Sequence, residues 1–189
     1  MSAQNSTQTP ALATASGRYT LDPSHSVVEF RVKHLMVATV TGRFTGYKGT
    51  LVYDEKDPTN STVVVDIEAK TIDTGAPDRD THLRSPDFFD VEKYPTLRFE
   101  STRVALDGDE EGTVHGNLTI HGVTQPVALK TTLEGRAKDP WGKERIAFTA
   151  ETTINRKDFG LNWNVALEAG GVLVSEKVKI ALHLAFVKE

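Results

Sequence analysis

Apolar and polar residues alternate along most of this chain, and almost nowhere do they recur with the spacing of about 3.6 residues that marks a helix. Alternation with a period of two belongs to strands that bury one face and wet the other. In the first such run Val28, Phe30, Val32, His34 and Met36 share one parity, while Glu29, Arg31, Lys33 and Leu35 take the other. Val40, Gly42, Phe44 and Gly46 continue the pattern, but the apolar parity then moves to Tyr47, Leu51 and Tyr53. That change predicts a bulge near Gly46 or Gly49. Further runs begin at Val63, Leu97, Val114, Val127, Ile146 and Val178, for a total of eight predicted strands. Asp57-Pro58, Asp107-Gly108, His121-Gly122 and Asp139-Pro140-Trp141-Gly142 supply turn chemistry between them.

Eight strands with one apolar face must hide that face, and no long amphipathic helix is present to cover it. The expected fold is therefore all-β, an eight-stranded antiparallel barrel of lipocalin-like type, with a two-sheet sandwich as the alternative. A short helix is expected from Pro77 to Phe89, between the third and fourth strands, interrupted at Ser85-Pro86. Phe88, Phe89 and Tyr94 could then plug one end of the barrel.

The 189 residues and 38% apolar content suit one folded domain, expected over 18–189 after a polar, disordered tail over 1–17. A net charge of −4, with no Lys/Arg run longer than two, leaves no electrostatic footprint for nucleic acid or an anionic membrane. No segment approaches the roughly 20 apolar residues of a transmembrane helix. The first residues lack the basic start and apolar stretch of a secretory signal, so a cytoplasmic location is expected. Cysteine is absent, and none of the six histidines has His-x-His or His-Glu-x-x-His spacing. No Gly-x-Ser-x-Gly or Walker-type pattern occurs either. Neither a catalytic residue, nor a metal site, nor a cofactor is expected.

Four ordered blocks carry a family resemblance: YTLDPSHSVVEFRVKHLMVATVTGRF from Tyr19, THLRSPDFFDVEKYPTLRF, GNLTIHGVTQPV, and DPWGKERIAFTAETTINRKDFGLNWN. Thr153 to Trp163 is the most specific stretch. Across these blocks, from about Arg18 to Glu189, the chain resembles the YceI family. The resemblance implies a lipocalin-like barrel that binds polyisoprenoids such as quinones or prenyl pyrophosphates, usually as a homodimer and without catalysis. Many relatives carry a periplasmic signal, which this sequence lacks. It also reads Gly171-Val-Leu-Val-Ser-Glu-Lys177 where relatives commonly have a Gly-Asp turn.

An isoprenoid tail needs only apolar walls. Candidates for such walls are Phe30, Val32, Met36, Phe44, Phe99, Leu118, Phe148, Ile154, Phe159, Leu182 and Leu184. Gly42, Gly116, Ala69, Ala150, Thr131 and Thr152 on the inward parity would leave room for it, unless they merely space a packed core. A head group needs polar residues at a barrel mouth. His34 and Arg156 fall on the inward parity, and a guanidinium fork suits phosphate while an imidazole can donate to a quinone carbonyl. The competing readings are a core histidine for His34 and an ion pair with Asp158 for Arg156. Asn155, Asp158 and Trp163 are further head-group candidates, or else parts of a closing loop. His82 and Arg84 lie on the short helix, over an opening or on an exposed face. Binding, transport or storage of a long-chain polyisoprenoid is the first functional reading. A scavenger of diverse amphiphiles and a packed scaffold are the alternatives.

Overall fold

Each alternating run forms a strand, and the strands close into a barrel. A computed structural model describes residues 15–189. The strands are β1 (Gly17–Leu21), β2 (Val27–His34), β3 (Ala38–Phe44), β4 (Tyr47–Tyr53), β5 (Thr62–Glu68), β6 (Ile72–Asp73), β7 (Thr96–Leu106), β8 (Glu111–Ile120), β9 (Val123–Lys138), β10 (Glu144–Asn155) and β11 (Val174–Lys188). One helix, α1 (Pro77–Arg84), lies between β6 and β7. All pairings are antiparallel, in the order β1-β4-β5-β7-β8-β9-β10-β11, and β1 pairs again with β11 to close the ring of eight.

Three of the eight staves are broken strands. β2 continues β1 along β11, β3 runs on into β4, and β6 follows β5 after a 3-10 turn over Ala69–Thr71. The breaks lie side by side: the Tyr47 hydroxyl donates to Ser26 O at 2.6 Å, Glu68 N to Gly46 O at 2.8 Å, and Gly46 N to Thr71 Oγ1 at 3.0 Å. A Cβ on Gly46 would stand 2.7 Å from Thr71 Cγ2, so the bend needs glycine there. This is the parity change expected near Gly46. Below the breaks β6 pairs with β3 while β7 pairs with β5, and the segment that follows α1 covers the parting between them.

The helix is shorter than expected and stops at Arg84, because Pro86 biases Ser85 to extended backbone (φ −73°, ψ 169°). Asp80 in its first turn is buried and accepts from Thr74 N at 2.9 Å and from the Thr74 hydroxyl at 2.5 Å. The tail expected over 1–17 ends earlier. Ala15 N donates to Glu55 Oε2 at 2.6 Å, Glu55 N donates to Ser16 Oγ at 2.8 Å, and β1 starts at Gly17. The rest of that tail, 1–14, lies outside the described residues. Tyr19 and Leu21 of β1, with two apolar positions too few to mark a strand by alternation, are buried and belong to the core.

The inward faces form two joined apolar clusters. The upper one gathers Tyr19, Leu21, Leu51, Tyr53, Ile146 and Phe186. The lower one includes Val28, Phe44, Leu97, Phe99, Ile120, Phe159 and Leu161, with Leu83 and Phe89 packed on it. Two expected sources of empty space are filled. The Phe30 ring lies over its cross-strand partner Gly42, and the Phe99 ring covers Gly116, where an added Cβ would collide. Glycine on an inward face has let a neighbouring ring lie flat instead of leaving a void.

Asp22 holds the break in the first stave. Its carboxylate accepts from Ser24 N at 3.0 Å and from Arg145 Nη1 at 2.7 Å, and its own N–H donates to Ala185 O at 2.8 Å. Hydrogen bonds from the Ser24 side chain, then from Arg145 and His25, hold this carboxyl well below the usual carboxylate range. A depressed folded pKa stabilises above the unfolded value, about 3.9, and the contribution is lost as pH falls through the window below it. Asp22→Asn is expected to cost about 1–3 kcal/mol at neutral pH. In urea unfolding the gap from the parent should narrow below about pH 4; an unchanged gap at pH 3 would show that ionisation of Asp22 contributes nothing.

Candidate ligand-binding site

A cavity of about 290 Å³ runs through the barrel interior and is walled almost wholly by apolar side chains. Its upper end reaches the surface, because exposed Thr62 at the start of β5 and exposed Asp109, Glu110 and Glu111 from the β7–β8 hairpin line it. Its lower end is closed by Leu83, Phe88, Phe89, Leu161 and Arg156. Phe89 meets Phe44 edge to face at 5.8 Å, so the segment after α1 acts as the plug expected of Phe88 and Phe89. Tyr94 instead packs on His121 at the β8–β9 turn, with ring centroids 4.7 Å apart.

Of the proposed tail-binding residues, Phe30, Val32, Phe44, Phe99, Leu118, Phe148, Ile154, Leu182 and Leu184 line this cavity. Ala150, Thr131 and Thr152 line it as well and supply part of its width. Two candidates do not belong to the wall. Met36 is 60% exposed, because the parity that placed it inside runs past the end of β2 into a turn. Phe159 is fully buried below the cavity in the lower cluster. Ala69, expected as an inward spacer, sits in the 3-10 turn after β5 and is wholly buried.

The polar candidates are spread over the lower end. Arg156 lines the cavity, yet four of its N–H groups are engaged by backbone carbonyls. Nε donates to Ser175 O at 2.9 Å, Nη1 to Leu161 O at 2.5 Å and to Trp163 O at 2.9 Å, and Nη2 to Val174 O at 3.2 Å. Asp158 is exposed and makes no ion pair with it. Burial lowers the Arg156 pKa, and the nearby Glu176 charge opposes that. Asn155 caps the 3-10 turn Arg156–Phe159 by accepting from Lys157 N at 3.0 Å. Trp163 packs between His82 and Phe88, at centroid distances of 4.7 and 5.2 Å, and so ties the segment after β10 to α1. His82 bonds Asp87 at 2.8 Å, and Arg84 donates to Lys70 O and Ile72 O. His34 is half-buried at the end of β2, opposite Val174, and stands apart from the cavity wall. The lower polar residues therefore close and brace the barrel. The carboxylates at the mouth, Asp109, Glu110 and Glu111, carry no sequence signal of a place on the site, because their sharing it with Thr62 depends on barrel closure.

Comparison with known proteins agrees with this architecture. The model of the YceI-like domain matches residues 19–186. A UPF0312 protein of Pseudomonas aeruginosa is 44% identical over 141 residues, covering 75% of this chain and 73% of the relative. One from Pectobacterium atrosepticum is 43% identical over 147 residues, covering 78% and 76%. Among solved structures, the Campylobacter jejuni YceI protein superposes with a TM-score of 0.73 at 28% identity, over 83% of this chain and 90% of that one. Burkholderia cenocepacia BcnA gives 0.76 at 22% identity, over 87% and 98%. A polyisoprenoid binding domain from Saccharophagus degradans gives 0.68 at 17%, over 90% and 98%. The last two likenesses are of fold.

Replacing Arg156 with Met removes the donors to four carbonyls. Hydrogen bonds to a charged group are worth about 1.5–3 kcal/mol each, so a loss of at least about 3 kcal/mol of stability is expected. Any residual apolar-probe and phosphate-probe binding should fall together. A selective loss of the phosphate probe in folded protein would return Arg156 to head-group recognition.

Proposed function

This chain belongs to the YceI family, and on that premise we propose that it binds and carries a polyisoprenoid lipid within its barrel, without transforming it. The observation that carries the proposal is the apolar cavity that runs from the plug at Phe88 and Phe89 to the upper rim. An isoprenoid chain offers a protein only dispersion and hydrophobic burial, worth roughly 25 cal/mol per Å². A wall of Phe, Leu, Ile and Val is the complement to that chemistry. The description of a fold neighbour as a polyisoprenoid binding domain supports the same ligand class.

The geometry favours a neutral, quinone-like head group over a pyrophosphate. Phosphate recognition calls for unengaged cations, and the guanidinium on the cavity wall is already held by carbonyls. At the open end a phosphate would meet the carboxylates of Asp109, Glu110 and Glu111. A neutral head at the rim carries no such repulsion. The cavity stands at the lower edge of the roughly 300–1,000 Å³ typical of small-molecule pockets. A tail of many prenyl units therefore either displaces the Phe88–Phe89 plug or extends past the rim.

Native mass spectrometry of freshly purified protein, followed by solvent extraction, tests the proposal. One prenyl lipid with a neutral head is expected. A mixture of amphiphiles would favour a scavenger, and protein that neither retains nor takes up a prenyl quinone would sink the carrier reading. Thr152→Phe, which projects a ring into the cavity, is expected to reduce retained lipid about tenfold, or ~1.4 kcal/mol, in a variant that still unfolds cooperatively.

A further inference from the structure

Large apolar side chains left exposed are concentrated at one place. Of the eight among the described residues, Leu35, Met36, Val37 and Val165 lie together at the lower end. The first three form the β2–β3 turn, closed by Val37 N donating to His34 O at 3.2 Å. Leu35 N donates to Leu173 O, and Leu173 N to Val165 O, both at 2.9 Å, which sets Val165 beside the turn. Leu35 and Met36 have φ of 51° and 64°. Such a turn favours Asn-Gly and is strained for Leu and Met. The chain thus holds two apolar side chains on the protruding end of a hairpin at a local cost, with Val37 80% exposed next to them.

Cations flank this tip. Lys33 precedes it on β2, and Lys177 and Lys179 lie on the outer face of β11, where Lys179 stands directly opposite Arg31. All are exposed, and at about 3.3 Å per residue they fall within roughly 15 Å of the turn. Arg31 pairs with Glu29 and Lys157 with Glu176, whereas Lys33, Lys177 and Lys179 have no ion pair among the described residues. Glu168 is the one further acid on the adjoining loop. Lys179 opposite Arg31 is a like-charge pair, unfavourable on paired strands and offset within the chain only by Glu29 on Arg31.

The geometry points to docking on an anionic lipid surface, with Leu35, Met36, Val37 and Val165 entering the headgroup region and Lys33, Lys177 and Lys179 meeting its charge. Convexity favours a deformable lipid phase over a protein groove. A second copy across a two-fold axis would bring these lysines together, and four side chains fall far short of the ~800 Å² per partner of a stable interface. In this orientation Val32 and Val174, at the lower end of the lumen, lie nearest the membrane and the acidic upper rim faces away from it. Docking goes beyond the carrier reading and does not depend on what fills the lumen.

The test is sedimentation of delipidated protein with vesicles of phosphatidylcholine alone or with about one-third phosphatidylglycerol, at low and high salt. Binding to the anionic vesicles only, weakened by salt, is expected. Leu35→Asn/Met36→Gly installs the residues the turn prefers, so it should keep or raise the melting temperature while lowering binding about tenfold. Lys177→Ala/Lys179→Ala should cost about fivefold per lysine. Trp141→Ala, at the exposed opposite end, should leave binding unchanged. Absence of binding to anionic vesicles, or loss of binding only with Trp141→Ala, overturns the inference. So does a parent dimer that the turn variant dissociates, which would assign the tip to self-association.

Discussion

Closure of the sheet is the constraint on which everything else in this structure rests. The barrel shuts where Tyr19 to Leu21 of β1 pairs with Phe186 to Lys188 of β11, the first strand against the last. Without that short ladder β11 and β1 would each expose an edge, and the apolar inward faces would open to water. The same first stave must also serve the lower barrel, so β2 re-pairs with β11 after the turn held by Asp22 and Ser26. Ser26 Oγ accepts from Ala185 N at 3.0 Å and donates to Asp22 O at 2.7 Å. One small polar junction thus lets a single stave follow β11 along most of its length.

At the lower end the same problem is solved by a buried charge. The segment from Arg156 to Val174 contains little regular structure, so its carbonyls lack ladder partners. Arg156 collects three of them, from Leu161, Trp163 and Val174, together with Ser175 O on β11, and Asn164 pairs with Val174 through both its carbonyl and its amide. Trp163 then fixes the segment against α1. A guanidinium serves here because its donors radiate in a plane toward acceptors from separate chain stretches. This bracing role is also why the most distinctive sequence block of the chain contains no free phosphate-binding fork.

Much of the fold was legible because parity on a half-buried strand is a local property. The wall residues from Phe30 to Leu184 and the bend at Gly46 follow from it, whereas the Phe88–Phe89 plug follows from the helix signals that begin at Pro77. What escaped depends on neighbours across the sheet. Gly42 and Gly116 read as empty space because nothing in the sequence pairs them with Phe30 and Phe99. Met36 read as inward because alternation carries no signal for the end of a strand. Tyr19 and Leu21 are too few to show a period, and the partners of Arg156 come from residues up to Ser175. The fold was thus more accessible than the candidate site, whose polar residues take their roles from long-range contacts.

Charge follows the same logic. A basic run is easy to see when it is contiguous, and here the longest has two residues. On β2 and β11, however, cations alternate with wall residues: Arg31 and Lys33 flank Val32, and Lys177 and Lys179 flank Val178. Because successive side chains on a strand point to opposite faces, the inward members build the lumen while the outward ones gather into a patch. The periodicity that makes the barrel therefore also sorts charge, placing lysines outside the lower wall and leaving carboxylates at the hairpin on the upper rim. A net charge of −4 averages over that polarity. An approaching surface meets the two ends separately, and at the lower end it meets positive charge beside an apolar tip.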